Sequence, residues 1–170
     1  MKRLILMRHA KSSWADSGQR DFDRPLNGRG VRSAKLIGEW LSSKGYLPDM
    51  ALVSSAQRTG ETWTGITGVI GARPVNFVSA LYHGDPGSML ELLRNTPDAG
   101  TILMLGHMPG VGAFAAELLS APPDDPDFDR HPTAATTVMD FAISDWKDVR
   151  RGSGQLVDFV TPRALEPGGQ

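Results

Sequence analysis

Short apolar runs alternate along this chain with longer segments in which apolar residues recur at helical spacing. The runs cover residues 4–7, 50–53, 75–78 and 101–105 and are rich in Leu, Ile, Val and Met. A run without polar alternation is typical of a strand that is covered on both faces, as in a parallel sheet. The pattern therefore predicts an α/β protein, with a single three-layer α/β/α domain around a mostly parallel central sheet.

The segments between these runs predict four helices. The first begins after an Asn27 cap and ends at Lys44 and Gly45, the second runs from near Ser55 to Gly71, the third follows Asp85 and Pro86, and the fourth opens at Pro109. Asn and Asp are common N-caps, Pro is common in the first helical turn, and Gly is common just past a helix end. These boundaries place a helix after each predicted strand except the third, where a short loop comes first.

The last third of the chain has a different pattern. Residues 122–132 hold four prolines and four aspartates, which indicates a surface loop. Residues 136–143 and 155–160 have strand composition and predict a terminal pair, with antiparallel pairing left open. We predict one domain over residues 1–163 and a flexible tail over residues 164–170.

Composition excludes several classes of protein. The chain has 170 residues, a formal net charge of -1 and no cysteine. It therefore lacks disulfides, thiol catalysis and cysteine-ligated metal sites, and it has no basic block of the kind that binds nucleic acid. The apolar run after the N-terminus is too short for a signal peptide, and no stretch reaches membrane-spanning length. We expect a cytoplasmic monomer that binds neither nucleic acid nor membranes.

Polar residues with phosphate chemistry follow three of the four predicted strands. Arg8 and His9 follow the first strand, Arg58 lies one turn into the helix after the second, and His107 follows the fourth. Ligands of open α/β sheets bind beyond the carboxyl ends of the strands, so these side chains are expected at one edge. A first-turn cation such as Arg58 costs roughly 0.3 to 1 kcal/mol, and a bound anion would reverse that sign. Taken alone, Arg8 and His9 are better explained as a solvated strand end, and Arg58 is equally consistent with a solvated surface arginine.

Four motifs occur in order along the chain: residues 7–14 (MRHAKSSW), 24–30 (RPLNGRG), 54–59 (SSAQRT) with Thr62, and 106–110 (GHMPG). Together they resemble the signatures of the histidine phosphatase (phosphoglycerate mutase-like) superfamily, and specifically its short phosphohistidine phosphatase branch. Residues 132–135 are similar to a segment that this branch carries before its last strands. The resemblance extends from residue 2 to about residue 143, and four ordered motifs are far more specific than any one of them.

This resemblance implies a role for each matched residue. His9 would be the nucleophile and become transiently phosphorylated, while Arg8, Arg58 and His107 would hold the phosphoryl oxygens, without a metal or cofactor. Attack requires a neutral His9, whereas His107 would stabilise phosphate best when charged. Ser12, in the turn after His9, is a further candidate phosphate ligand, although a turn of this composition is equally a plain loop.

One departure from the family bears on the substrate. Larger relatives carry a glutamate general acid after the third strand, and residues 80–86 of this chain contain no glutamate. Asp85 and His83 are the remaining candidates for a general acid, with N-capping the better interpretation of Asp85. Phosphate leaves imidazole nitrogen more easily than it leaves an alkoxide, so a missing acid favours phosphohistidine of a protein. The alternatives are a small-molecule phosphomonoesterase of the same superfamily and a non-catalytic phosphate-recognition module.

Other conspicuous residues have structural interpretations. We expect Asp21, Asp23 and Arg24 to brace the loop before the first helix, and His131 to be a loop histidine. The four tryptophans, Trp14, Trp40, Trp63 and Trp146, are expected to pack in the core or at its rim.

Overall fold

One six-stranded sheet runs through the computed structural model, which describes residues 1–167. Its strands are β1 (Lys2–Arg8), β2 (Met50–Ser54), β3 (Val75–Val78), β4 (Thr101–Gly106), β5 (Thr136–Phe141) and β6 (Gln155–Val160), and their order across the sheet is β3-β2-β4-β1-β5-β6. Strands β1 to β4 are parallel. Strand β5 runs antiparallel to β1, and β6 antiparallel to β5. The predicted fold class is confirmed, and the pairing of the last two strands is antiparallel.

Six α-helices connect or flank these strands within residues 1–167. They are α1 (Gly28–Lys44), α2 (Gln57–Ile70), α3 (Pro86–Arg94), α4 (Gly110–Leu118), α5 (Pro126–Arg130) and α6 (Pro162–Leu165). Asn27 caps α1 by accepting a hydrogen bond from the Gly30 amide, and Asp85 caps α3 by accepting one from the Ser88 amide. Gly45 ends α1 in the left-handed conformation, which a residue without Cβ adopts at little cost.

Strand β1 shows why the sheet is covered on both faces. Leu4 and Leu6 pack in one core with side chains of α3 and α4, whereas Ile5 and Met7 pack in a second core with side chains of α1 and α2. All four are fully buried. Successive strand side chains point to opposite faces, so an uninterrupted apolar run supplies both cores of a three-layer domain.

The structure corrects several local predictions. Helix α2 begins at Gln57 rather than near Ser55, and the predicted loop at 122–132 contains the short helix α5, capped by Asp125. Three tryptophans are buried as expected, but Trp14 is 73% exposed. Its indole lies on a polar loop and stacks on the Arg24 guanidinium, with 3.6 Å from Cζ to the ring centroid.

The C-terminal segment is described only in part. Residues 164 and 165 belong to α6, and Leu165 packs against the core beneath α1. Residues 168–170 of the predicted tail lie outside the described residues, and the division into residues 1–163 and 164–170 stays a prediction. No helix within residues 1–167 combines the length and apolarity needed to span a bilayer.

Candidate active site

A polar cavity lies where the parallel strands end. Arg8 at the end of β1 pairs with Gly106 at the end of β4, and Val53 of β2 pairs with Leu105 of β4, so the three strands end side by side. The cavity has a volume of about 230 Å³. Its lining comprises Arg8, His9, Lys11, Ser12, Trp14, Arg24, Arg58, His107, Met108 and Thr133. The structure thus brings together all four of the residues that the motifs single out, together with Ser12.

A wider depression elsewhere on the surface lacks this chemistry. It follows α3 with a volume of about 770 Å³, and its lining runs from Asp85 to Arg94 with Asn95 and Arg151. None of the strand-end histidines lies in it. Size alone would select this depression, but the convergence of buried cationic and imidazole groups selects the smaller cavity.

His9 is held with one ring nitrogen bonded and the other directed at Arg58. Its Nδ1 lies 2.7 Å from the Ala10 carbonyl oxygen, which can only accept, so Nδ1 carries the proton. Nε2 then has a free lone pair, to which Arg58 Nε donates across 3.4 Å. Burial, helped by the charges of Arg58 and Arg8, lowers the pKa of His9 to about 4. His9 is therefore neutral at pH 7, as nucleophilic attack requires.

His107 lies beside His9, with ring centroids 5.2 Å apart. Its Nε2 forms a hydrogen bond of 2.8 Å with Ser54 Oγ, and its Nδ1 is buried without a partner among the described residues. Burial, together with His9 and Arg58, lowers the pKa of His107 to about 3. This differs from the charged His107 expected from the sequence, because burial disfavours the imidazolium and the Asp21 carboxylate offsets that effect only in part.

Arg58 is fixed by the loop before α1 although it extends from α2. Its Nη1 donates to the Asp21 carbonyl over 2.7 Å, and its Nη2 pairs with Asp21 Oδ2 at 3.1 Å. Thr62 holds the helix against the chain after β1, since its hydroxyl donates to the Arg58 carbonyl and accepts from the Ala10 amide. The Asp21 carboxylate supplies the anion that a first-turn arginine needs.

Arg8 is positioned by a histidine that the sequence placed in a surface loop. Its Nη1 donates to the His131 carbonyl over 3.0 Å. His131 is fully buried, and its Nδ1 donates to the Phe128 carbonyl over 2.8 Å while its ring packs against Phe128 and Phe159. The prediction that His131 is an ordinary loop histidine is wrong, because the side chain is buried rather than solvated. Part of this burial comes from Phe159 of β6, which is distant in sequence.

Arg24 and Asp21 belong to the cavity region as well as to the loop. Arg24 is 6% exposed, and it donates to Ser12 Oγ at 2.6 Å and to Asp21 Oδ1 at 3.0 Å. These bonds do brace the loop, as predicted. Arg24 nonetheless lines the cavity as a third arginine, which its place in the RPLNGRG motif could have signalled.

The candidate general acids lie on the opposite side of His107. Asp85 caps α3, and His83 is exposed with its ring 4.1 Å from that of Tyr82. Both line an adjoining cavity of about 240 Å³ that also contacts His107. Asp21 is a poor proton donor, because hydrogen bonds from Tyr82, Arg24 and Arg58 hold its pKa well below the usual range.

The model of the histidine phosphatase superfamily (branch 1) matches residues 4–89. The chain belongs to this superfamily. It is 36% identical over 165 residues to an uncharacterized protein of Mycobacterium tuberculosis (strain ATCC 25618 / H37Rv), an alignment that covers 92% of this chain and all of the relative. The residues matched by the family model include the motifs at β1, α1 and α2. Membership of this superfamily makes the protein a phosphatase of the histidine phosphatase type.

Solved structures support the same assignment. A candidate phosphohistidine phosphatase SixA from Nakamurella multipartitia superposes with a TM-score of 0.78 and 32% identity, covering 95% of this chain and 96% of the other. The protein histidine phosphatase SixA complexed with tungstate superposes with a TM-score of 0.80, covering 96% of this chain and 99% of the other. At 21% identity, this second likeness shows the fold alone.

Proposed function

We propose that this phosphatase removes phosphate from phosphohistidine of a protein, through an intermediate phosphorylated on His9. The observation that carries the proposal is the state of His9: its proton is committed to the Ala10 carbonyl, and its Nε2 lone pair is directed into a cluster of cations. A neutral imidazole with an unprotonated nitrogen beside Arg8 and Arg58 combines a nucleophile with a phosphate clamp.

Two displacements at phosphorus would complete the reaction. In the first, His9 Nε2 forms a bond to phosphorus while the bond from phosphorus to the substrate imidazole breaks, and that imidazole leaves neutral because its other ring nitrogen carries a proton from solvent. In the second, water attacks phosphorus, the bond to His9 Nε2 breaks, and inorganic phosphate is released. The negative charge in transfer spreads over three oxygens, so cationic stabilisation is the main requirement.

We assign this stabilisation to Arg8, Arg58 and His107, with Ser12 as a further donor. The Ser12 oxygen accepts from Arg24, which leaves its hydroxyl proton able to donate to phosphate. Binding of a phosphate dianion would oppose the nearby positive charges and raise the pKa of His107. His107 would then take up a proton from solvent when the substrate phosphate binds.

Among residues 1–167, no carboxylic acid near the cavity is both buried and available to donate a proton, which favours phosphohistidine over phosphate esters. Asp85 is engaged as a helix cap, His83 is exposed, and the Asp21 carboxyl is held ionised. An alkoxide leaving group needs a strong acid, whereas imidazole protonated on its second nitrogen does not. The cavity of about 240 Å³ beside His107 supports one alternative, a small-molecule phosphomonoesterase that uses Asp85 or His83 as its acid.

Rates on three substrates test the proposal. Purified enzyme is incubated with a phosphohistidine peptide, a phosphoramidate and a sugar phosphate, and phosphate release is measured for the native enzyme, His9→Ala and His83→Ala. We expect the peptide to be hydrolysed fastest, His9→Ala to be inactive, and His83→Ala to retain peptide turnover. Rapid quenching of the native enzyme is expected to trap an acid-labile label that His9→Ala lacks.

Each other outcome identifies an alternative. Faster turnover of the sugar phosphate, with loss in His83→Ala or Asp85→Asn, would indicate the phosphomonoesterase. Tight binding of phosphate with no release from any substrate would indicate a recognition module. Normal activity of His9→Ala would overturn the nucleophile assignment.

A further inference from the structure

A second cavity adjoins the candidate active site, and its lining carries more basic than acidic side chains. It has a volume of about 310 Å³ and shares Lys11 and Thr133 with the phosphate cavity. The other lining residues are Arg29, Ser33, Asp127, Arg130, Pro132, Thr161, Pro162 and Arg163. Four of the ten lining side chains are thus basic and one is acidic, in a chain whose net charge is -1.

The fold brings these cations from four separate segments. Lys11 lies after β1, Arg29 in the first turn of α1, Arg130 at the end of α5 and Arg163 in α6. Gly30 permits the contact between the first two segments, because a Cβ at this position would lie 2.0 Å from the Lys11 carbonyl oxygen. The close packing of α1 on the chain after His9 therefore sets Arg29 beside Lys11.

The positive charges of this cavity are mostly uncompensated. Asp127 pairs with Arg130, whereas Lys11, Arg29 and Arg163 form no ion pair with any carboxylate of residues 1–167. Arg29 also stands at the positive end of the α1 dipole, and the first turn of α1 has no acidic residue to offset it. Like charges gathered at a helix N-terminus repel one another, and an anion in the cavity would relieve that repulsion.

The cavity also offers polar groups on its floor. Ser33 is 5% exposed and Thr161 is 6% exposed, and hydroxyl groups of both residue types donate to carboxylates. The cavity volume is about ten times the roughly 30 Å³ that one water molecule occupies in the liquid. It therefore accommodates more than one carboxylate, which suits a stretch of acidic side chains better than a single small anion.

We propose that the Lys11, Arg29 and Arg163 cavity binds acidic side chains of the protein that carries the phosphohistidine, next to the phosphorylated residue. This rests on the proposed function and adds the substrate's sequence context. Since the two cavities share the Lys11 and Thr133 wall, one substrate can fill both. Arg29 and Arg163 would act on substrate binding rather than on phosphoryl transfer, so their removal is expected to raise KM and to leave kcat unchanged.

Two matched phosphohistidine peptides test this assignment. They differ only in the residues that flank the phosphohistidine, which are glutamates in one peptide and glutamines in the other. We expect kcat/KM of the native enzyme to be about tenfold higher for the glutamate peptide in low salt, with the preference carried by KM, and to fall to about twofold in 0.5 M salt because screening weakens exposed charge pairs.

Variants locate the preference on the molecule. The double variant Arg29→Gln and Arg163→Gln is expected to reduce the preference to less than about threefold while kcat on the glutamine peptide stays unchanged. The matched control is Arg32→Gln with Arg150→Gln, which removes the same charge from exposed residues that do not line this cavity. The control is expected to keep the preference. Thermal unfolding of all variants checks that they fold.

The outcomes separate this inference from the proposed function. Hydrolysis of both peptides at equal kcat/KM, or a preference that persists in the double variant, would overturn the acidic-segment assignment and leave the proposed function standing. Turnover of p-nitrophenyl phosphate without hydrolysis of either peptide would overturn both. A small bisphosphate whose KM depends on Arg29 and Arg163, with no preference between peptides, would assign the cavity to a small molecule and overturn the proposal.

Discussion

At the scale of single residues, the geometry of Arg58 distinguishes an arginine from any other cation. Its Nε donates to His9 Nε2, while Nη1 and Nη2 are held by the carbonyl and carboxylate of Asp21. One guanidinium therefore contacts the nucleophile and the loop together. A lysine ammonium is a single point charge and cannot span both.

Arg58→Lys is expected to lower kcat on a phosphohistidine peptide by about 100-fold or more, because one preorganised donor to a transferring group is worth about 10²- to 10³-fold. Steady-state kinetics with the native enzyme alongside measure the loss. Arg32→Lys, an exposed change on α1, is the control and is expected to have no effect. Activity of Arg58→Lys within threefold of the native rate would show that charge alone is needed at this position.

At the scale of secondary-structure elements, Asp85 has to be assigned either to helix α3 or to catalysis. Its side chain accepts from the Ser88 amide at 2.7 Å, and Pro86 follows it in the first turn, which is the arrangement of an N-cap. Asn caps a helix as well as Asp but cannot donate a carboxyl proton. The Asp-to-Asn exchange therefore separates the two roles.

Asp85→Asn is expected to leave the rate on every substrate unchanged and to alter the free energy of unfolding by at most about a few tenths of a kcal/mol. Asp85→Ala removes the cap and is expected to lower the free energy of unfolding by about 1 kcal/mol. Urea denaturation and phosphate release measure the two effects. If Asp85→Asn lost tenfold or more on phosphate esters while keeping phosphohistidine turnover, Asp85 would be the acid of an esterase.

At the scale of the whole molecule, the buried histidines couple the site to stability. The pKa of His9 is lowered to about 4 and that of His107 to about 3, both mainly by burial, against 6.5 for an unperturbed histidine. Between these values and 6.5 the unfolded chain binds protons that the folded chain does not. The stability that these two neutral histidines contribute is therefore fully present above pH 6.5 and is lost as pH falls toward 4 for His9 and toward 3 for His107. Asp21 contributes in a lower pH range, because its pKa in the folded chain lies well below the ordinary value of 3.8. Its contribution to stability is fully present above pH 3.8 and is lost as pH falls below that value.

We expect the free energy of unfolding to be several kcal/mol lower at pH 5 than at pH 7. Each pKa unit by which a histidine pKa differs between the folded and the unfolded chain is worth about 1.4 kcal/mol. Urea denaturation at a series of pH values measures it. His107→Asn is expected to reduce the slope, and saturating phosphate is expected to raise stability throughout by binding the folded state only. Equal stability at pH 5 and pH 7 would contradict neutral, buried histidines.

The sequence predicts the parts of this molecule that depend on local pattern. The run at Leu4 to Met7 predicts a doubly covered strand, and the placement of His9, Arg58 and His107 after parallel strands predicts their convergence. It fails where a residue's surroundings come from distant segments. The burial of His131 needs Phe159 from β6, and the neutral state of His107 depends on how deeply the ring lies. Trp14 shows the opposite error. Its hydrophobicity predicts packing in the core or at its rim, whereas the indole lies at the surface and stacks on the Arg24 guanidinium.

The position of β1 in the sheet has a consequence for how the protein is made. Strand β1 is the first to leave the ribosome, yet its two neighbours are β4, which starts at Thr101, and β5, which starts at Thr136. Its backbone hydrogen bonds to the sheet are therefore all long-range, and contacts of this kind form slowly. Because His9 directly follows β1, a nascent chain shorter than about residue 141 lacks a complete sheet around its nucleophile. Phosphatase activity is thus expected to arise only once β5 has been synthesised and can pair with β1.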